Sequence, residues 1–208
     1  MISNNGTWIT GECLEEMNKL PDKSIDLILC DLPYVTTKNK WDSVIPFELL
    51  WKQYWRILKD ERCIVLTSSQ PFTSALVMSQ PKYFKHEWIW IKNKGSNFAN
   101  TVREPFKEHE TILVFSKGKW IYNKQMQERS ELGKQRIKYD IKSNTLTENY
   151  NKFDPSFKLN YQQLRTPSSH QKFNVERGLH PTQKPIALFE YLIKTYTDEG
   201  MTVLDNCA

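Results

Sequence analysis

The chain has 208 residues, of which 39% are hydrophobic and 25% are charged, and its formal net charge is +5. This composition is typical of a globular domain with a buried core and excludes a fibrous or disordered chain. The longest apolar runs fall far short of the roughly 18 residues that a membrane helix needs, and the first residues lack the basic and apolar stretch of a signal peptide. We therefore expect a cytoplasmic protein with no membrane partner.

Four cysteines stand far apart in the chain and form no Cys-x-x-Cys pair: Cys13, Cys30, Cys63 and Cys207. This spacing argues against a zinc site and against a disulfide framework, and it predicts free, buried thiols. The four histidines are equally dispersed. No metal site is expected.

The first part of the chain alternates predicted strands and helices. Ile25–Cys30 and Cys63–Thr67 are short apolar runs, typical of strands that are covered on both faces. Between them, apolar residues recur with helical spacing from Phe47 to Leu58, and further helices are predicted after Pro71 and Pro185. This alternation predicts an α/β sheet with parallel strands in its first part, whose chemistry gathers at the carboxyl ends of the strands.

Three more strands are predicted in the middle of the chain, at Glu87–Ile91, Thr111–Phe115 and Lys119–Tyr122. Each run is rich in β-branched and aromatic residues. The last two are expected to form a hairpin through Lys117 and Gly118.

Asp31, Leu32, Pro33 and Tyr34 come directly after the first predicted strand. The Asp31 carboxylate can accept a hydrogen bond from an amino group, and a backbone carbonyl near Pro33 can accept another. The flat ring of Tyr34 can stack on a planar group. These four residues are also compatible with a strand-ending turn, in which Asp31 is a cap and Tyr34 belongs to the core.

The Asp31–Tyr34 segment resembles the Asp-Pro-Pro-Tyr motif of the amino-group DNA methyltransferases. Other segments that recur in these enzymes are Leu20–Asp26, Lys40–Asp42, Ser69–Phe72, Trp88–Trp90 with Lys92, and His180–Pro185. The resemblance covers nearly the whole chain outside roughly residues 120–175, and the motif order is that of the permuted beta class. It implies a Rossmann-like methyltransferase sheet, dependent on S-adenosylmethionine, with an inserted target-recognition region.

The resemblance implies a reaction as well as a fold. Such enzymes transfer a methyl group from S-adenosylmethionine to the exocyclic amino group of a base that is flipped out of double-stranded DNA. Asp31, Pro33 and Tyr34 are the implied catalytic residues, and an aspartate at the first motif position favours adenine over cytosine. The chain has no Pro-Cys pair, which argues against a thiol nucleophile for methylation of a cytosine ring carbon.

Two positions depart from the family pattern. Leu32 replaces the first proline of the motif, so we expect a more flexible loop, although a residue before Pro33 still prefers an extended backbone. Glu12 stands where the family usually has aspartate, near the adenine of the cofactor.

The resemblance also implies residues that contact S-adenosylmethionine, namely Glu12, Asp31, Thr182, Lys184 and Asp205. Lys184 is expected to meet the methionine carboxylate, with Thr182 as a hydroxyl partner. The alternative is that Thr182 and Pro185 only start a helix.

In the family, a glycine-rich loop follows the strand that is predicted here at Thr202–Asp205. The sequence ends at Ala208, and none of its seven glycines forms the Gly-x-Gly pair of that loop. We therefore expect a sheet that is incomplete at its C-terminal end, a strand around Trp8–Thr10 that has lost its neighbour, and weak or no binding of S-adenosylmethionine by this chain alone. The alternatives are a truncated or split gene product, a fragment, or a non-catalytic DNA-binding remnant. A homodimer or a complementing C-terminal polypeptide is a possible partner.

The positive charge is concentrated in one stretch. Residues 117–178 carry 13 Lys and Arg against 6 Asp and Glu, while residues 1–116 are balanced and residues 179–208 are slightly acidic. We interpret 1–116 as the catalytic part, 117–178 as a DNA-binding target-recognition region, and 179–208 as the return to the methyltransferase domain with the first part of the cofactor site. A solvated insertion with a chance charge bias is the alternative. The candidate phosphate contacts are Lys117, Lys119, Lys124, Arg129, Lys134, Arg136, Lys138 and Arg165, and Asn160, Gln162 and Gln163 are candidates for base edges, together with Arg165.

Overall fold

A computed structural model describes residues 6–34, 44–139, 163–176, 178 and 183–207, without the side chains of residues 136–139. Its strands are β1 Ile25–Asp31, β2 Leu58–Ser68, β3 Phe84–Ile91, β4 His109–Phe115, β5 Gln127–Glu128, β6 Leu164–Arg165, β7 His170–Lys172 and β8 Val203–Leu204. Its helices are α1 Cys13–Lys19, α2 Phe47–Ile57, α3 Phe72–Ser79, α4 Glu131–Tyr139 and α5 Ile186–Tyr196, with a 3-10 turn at Phe98–Asn100.

Six strands form one sheet in the order β7-β3-β4-β2-β1-β8. β1 pairs in parallel with both β2 and β8, whereas β4 runs antiparallel to its neighbours β2 and β3. β3 and β7 pair in parallel. The predicted α/β class and the parallel order of the first part are confirmed.

The sheet is covered on both faces, as its apolar strands predict. Successive residues of β1 point to opposite faces, so Ile28 enters the core cluster beneath α1, α2 and α3, and Leu29 enters the cluster beneath α5. α2 begins after Pro46 and buries the apolar face that the spacing predicted. The helices on both faces hold the sheet in place, and with it the ends of its strands.

Two strand predictions are wrong. Residues 119–122 form no strand, because β4 is already paired on both sides, with β2 and with β3, and has no free edge for a hairpin partner. Residues 8–10 form no strand either, and Trp8 is 85% exposed. A strand without a neighbour has no backbone partners to hold it. Among the described residues, no helix combines the length and apolarity needed to cross a membrane.

The chain divides into two compact units. The first comprises Met1–Asn123 and Ser169–Ala208 and holds the six-stranded sheet. The second is Lys124–Ser168, in which β5 and β6 pair antiparallel next to α4 in the sequence. Of the cysteines, Cys30 and Cys63 are buried as predicted, while Cys13 and Cys207 are half-buried, and all four are free.

Asp26 is a buried charge that fastens β1 to its neighbours. Its side chain accepts hydrogen bonds from Lys59 at 2.7 Å, from Arg62 at 3.3 Å and from the Thr202 N–H at 3.1 Å. Burial alone would raise the pKa of Asp26, but its three donors together lower it. Both carboxylate oxygens therefore have charged or N–H partners, although the residue is only 4% exposed.

We expect Asp26→Asn to lower the free energy of unfolding by about 2–3 kcal/mol at neutral pH, because the amide loses charge-assisted bonds and leaves two cations without their partner. The lowered pKa means that this stabilisation exists above the ordinary carboxyl pKa and is lost as the pH falls through the native value. The free energies of unfolding of the wild type and of Asp26→Asn, measured with urea, should therefore converge in acid. Asp22→Asn is the matched control, since Asp22 pairs with Arg56 at 2.6 Å but is 72% exposed, and should cost at most about 1 kcal/mol. Equal costs for the two variants would contradict this account.

Candidate functional site

One edge of the sheet collects the polar side chains that matter for chemistry. The parallel strands β1, β2 and β8 end there, and the antiparallel strand β4 begins there. Asp31 is the last residue of β1 and pairs in register with Thr67 of β2. Asp205 directly follows β8, and Glu110 is the second residue of β4. We call this the carboxyl edge.

Both oxygens of the Asp31 carboxylate are engaged. Oδ1 accepts hydrogen bonds from the Tyr34 hydroxyl at 2.5 Å and from the Thr67 hydroxyl, and Oδ2 accepts one from Lys184 Nζ at 2.7 Å. The side chain remains 28% exposed. Because a carboxylate has about four acceptor positions, these three donors leave one free, on Oδ2. The arrangement orients the carboxylate and keeps one position for a further N–H donor.

Lys184 belongs to a buried row of alternating charges. Its Nζ lies 3.4 Å from Glu110 Oε2, and Glu110 Oε1 accepts a hydrogen bond from Lys92. The side chains of Lys184, Glu110 and Lys92 are only 9%, 14% and 7% exposed. Burial opposes the charge on Lys184, but Asp31 and Glu110 together raise its pKa, so the ammonium group is kept.

The Tyr34 phenol is fixed by contacts on several sides. Its ring centroid lies 5.5 Å from that of Phe72 and 5.3 Å from Lys184 Nζ, and its hydroxyl is 2.7 Å from the Thr67 hydroxyl. Burial and the negative charge of Asp31 raise the pKa of Tyr34, so the hydroxyl stays protonated and donates to Asp31. Pro33 and Tyr34 are half-buried.

Leu32, which replaces a proline of the family motif, is 3% exposed and packs in the core beneath α2 and α3. The ring of a proline would restrict the backbone by covalent geometry. Here the burial of an apolar side chain anchors the same segment to the core.

The remaining cofactor candidates occupy different surroundings. Asp205 accepts a hydrogen bond from the Cys207 N–H at 2.9 Å, and burial raises its pKa, with a further contribution from the charge of Asp31. Glu12 is exposed and caps α1 by accepting from the Glu15 N–H at 2.9 Å, which lowers its pKa. Thr182 lies outside the described residues.

The candidate phosphate contacts fall into two groups. Lys117 and Lys119 follow β4 at the edge of the sheet opposite Asp31, and Lys117 Nζ lies 4.9 Å from the Trp55 ring centroid. The others belong to the second unit, where Arg129 donates to the Leu164 carbonyl at 2.9 Å and Lys134 pairs with Glu131 at 2.8 Å.

Lys124 and Arg165 of the second unit are exposed. The side chains of Arg136 and Lys138, and the residues Asn160 and Gln162, lie outside the described part of the chain, whereas Gln163 is described and exposed. Within the described ranges, no three His, Cys, Asp or Glu side chains meet in a group that could hold a metal ion.

Thr67, Ser69, Glu110 and Lys92 are site residues to which the sequence alone assigned no role. Thr67 was predicted only as part of a strand. Ser69 lies one residue past β2, is 6% exposed, and its hydroxyl has no hydrogen-bond partner among the described residues. Ser69 and Lys92 lie in segments that recur in the family, although neither received a role there. The signal for Glu110 was weaker, a single acid near the start of an otherwise apolar strand.

Comparison with known proteins identifies the family of this chain. Residues 25–206 match the family model of N6/N4 methyltransferases, described as DNA methylase. The type II methyltransferase M.HpaI of Haemophilus parainfluenzae is 27% identical over 214 residues, which is 95% of this chain and 62% of the relative. The DNA adenine methyltransferase YhdJ of Escherichia coli is 26% identical over 220 residues, 97% of this chain and 71% of the relative. The chain thus spans less than two thirds of the length of M.HpaI.

Solved structures share the fold. The M1.HpyAVI–SAM complex superposes with a TM-score of 0.56 at 21% identity, covering 95% of this chain and 80% of that one. The cytosine-N4-specific PvuII DNA methyltransferase superposes with a TM-score of 0.60 at 15% identity, covering 97% and 74%. With a family model that matches from the start of β1 to beyond β8, the chain belongs to the N6/N4 DNA methylase family.

Proposed function

We propose that this chain carries the catalytic part of a site-specific DNA methyltransferase, which transfers a methyl group from S-adenosylmethionine to the exocyclic amino group of adenine in double-stranded DNA. The observation that carries the proposal is the Asp31 carboxylate, oriented by three donors at the carboxyl edge with one acceptor position left open. Adenine rather than cytosine is supported by the aspartate at this position and by the similarity to an adenine methyltransferase.

An exocyclic amino group is a weak nucleophile, because its lone pair is delocalised into the base. A hydrogen bond from the amino group to Asp31 Oδ2, and a second one to a backbone carbonyl near Pro33, favour a pyramidal nitrogen whose lone pair points away from the ring. Alignment of that lone pair with the methyl group then supplies much of the acceleration. The nitrogen loses its extra proton along the hydrogen bond to Asp31.

Tyr34 is proposed to stack on the extruded base, which offsets part of the few kcal/mol that unpairing and unstacking cost. Its half-buried ring is held by Phe72 and by the hydroxyl contacts to Asp31 and Thr67. A platform fixed in this way loses little entropy when a base arrives.

The residues at the carboxyl edge fit S-adenosylmethionine, which supplies the methyl group on a sulfonium when bound. The buried Ser69 hydroxyl has no partner among the described residues, and Lys184 carries three N–H donors for its two carboxylates. Both groups suit the methionine carboxylate. Asp205 and Glu12 are acceptors that suit the hydroxyl and amino groups of the nucleoside, with Thr182 as a further proposed contact.

The test is transfer of tritiated methyl from S-adenosylmethionine to unmethylated genomic DNA, run with this chain alone and then with the family's C-terminal segment added, followed by mass spectrometry of the digested nucleosides. N6-methyladenine is the expected product. N4-methylcytosine would overturn the choice of base and keep the reaction class. DNA binding without any transfer would instead favour a non-catalytic DNA-binding remnant or half of a split methyltransferase.

The basic second unit is proposed to contact DNA phosphates. Replacing Lys134, Arg136 and Lys138 of α4 together by alanine should weaken binding to all sequences and reduce the steepness of log Kd against log salt by about one per lost contact. Fluorescence anisotropy from low to moderate salt measures this slope. The control is Lys52→Ala, an exposed lysine of α2 that is not among the candidate phosphate contacts, which should leave the slope unchanged. An unchanged slope in the α4 variant would remove these residues from the interface.

A further inference from the structure

The connection between β3 and β4, residues 92–108, begins and ends at the carboxyl edge. Ile91 of β3 pairs directly with His109 of β4, so the two ends of this segment lie side by side. Lys92, at its start, bonds to Glu110, which in turn reaches Lys184 and through it Asp31. We call residues 92–108 the edge loop.

The edge loop has an internal frame. The Asn97 side chain donates to Glu104 Oε1 and to the Pro105 carbonyl, both at 3.0 Å, and accepts from the Lys107 N–H at 2.7 Å. At Gly95, an added Cβ would lie 2.6 Å from the ring of Phe106, so this ring packs against bare backbone. These contacts give the loop a defined internal shape.

Two large apolar side chains of this loop are exposed to solvent. Phe98 is 82% exposed and Val102 is 92% exposed. Neither residue is needed for the core, because so little of its surface is buried. Single exposed apolar residues are ordinary on a protein surface, but two large ones only four positions apart on one framed loop mark this loop as a candidate contact surface.

The charges of this loop indicate the chemistry of a partner. The edge loop carries four basic residues, Lys92, Lys94, Arg103 and Lys107, against the two acids Glu104 and Glu108. A polyanion with an apolar interior matches this pattern, and duplex DNA has phosphates outside and stacked bases inside. Apolar side chains that insert between bases are a known way of distorting a duplex.

We propose that Phe98 enters the base stack of duplex DNA at the position that the target base leaves when it moves to Asp31. The inference rests on the proposed function and adds the element that fills the gap. The basic side chains of the loop hold the flanking phosphates, and the aromatic ring restores stacking that extrusion removes. Val102, four residues further along the loop, adds a second exposed apolar side chain.

The test compares binding to two 30-base-pair duplexes, one fully paired and one with a central abasic site that already has the gap. The wild-type chain should bind the abasic duplex about fivefold or more tightly, in line with base–aromatic stacking. Phe98→Ala should lose this preference, and Phe98→Trp should keep it. Met78→Ala is the matched control, because Met78 is 71% exposed on α3 and lies outside the loop. Thermal unfolding of each variant should match the wild type, since exposed side chains are changed.

Retention of the preference by Phe98→Ala, or its absence in the wild type, would overturn the proposal. A concentration-dependent dimer in sedimentation that disappears in Phe98→Ala would also overturn it, since the edge loop would then be a self-association surface. This test can fail separately from the proposed function. If the preference for the abasic duplex depends on Phe98 but the chain transfers no methyl group, only the methyltransferase proposal is rejected. If the chain transfers methyl groups without that preference, only the proposed insertion of Phe98 is rejected.

Discussion

Asp31→Asn should reduce the rate of methyl transfer about a thousandfold, comparable to the loss of a main electrostatic contact in other active sites. The amide keeps the shape of the carboxylate, and its oxygen can still accept from Tyr34 and Thr67. Its NH₂ group, however, would face Lys184 Nζ, so two donors would oppose each other where a carboxylate oxygen now accepts at 2.7 Å. The open acceptor position for the base amino group is lost at the same time.

Single-turnover transfer on unmethylated DNA measures this effect, and Kd for the same DNA separates chemistry from binding. Asp22→Asn, which changes an exposed carboxylate far from the carboxyl edge, is the control and should transfer at the wild-type rate. If Asp31→Asn kept more than a tenth of the wild-type rate, the assignment of Asp31 would fail.

Lys184→Met should lower the free energy of unfolding by about 2–3 kcal/mol, because the part-buried Asp31 and the Oε2 atom of the buried Glu110 lose the cation that lies between them. Lys184 Nζ contacts Asp31 Oδ2 at 2.7 Å and Glu110 Oε2 at 3.4 Å. The raised pKa of Lys184 makes this stabilisation depend on pH. The stabilisation is present below the ordinary lysine pKa and is lost only as the pH rises through the raised native value.

A double variant tests whether the cost comes from this contact. Asp31→Asn combined with Lys184→Met should be more stable than the sum of the single effects predicts, since the second change removes one of the stranded charges. Lys194→Met is the matched control, because Lys194 pairs with Glu190 on the surface of α5 with both side chains more than half exposed, and should cost about 0.5 kcal/mol or less. Strict additivity in the double variant would contradict the proposed contact.

Local sequence patterns predicted the elements that depend on local physics. Apolar residues that recur with helical spacing after Pro46 predicted α2, and the apolar run from Ile25 predicted β1. Both predictions succeed because the spacing of apolar residues reflects which face of an element is buried. The hairpin at 119–122 failed for a non-local reason. Which strands flank β4 is decided by pairings with β2 and β3, and nothing near Phe115 in the sequence records that both edges are taken.

The site shows the same division. Asp31 and Tyr34 could be found because they are three residues apart in a recognisable motif, and Lys184 because a second motif contains it. The bond from Lys184 to Asp31 spans 153 positions, and the Glu110 contact depends on the antiparallel register of β4. That Lys184 meets two carboxylates of its own chain was therefore visible only once the strands were assembled.

The pairing of Ile91 with His109 also bears on how readily this surface can be remodelled. Because Ile91 and His109 flank the edge loop and pair directly with each other, we expect insertions and deletions inside the loop to leave Lys92 and Glu110 in place. The length of the edge loop can therefore change without disturbing the charged side chains that orient Asp31.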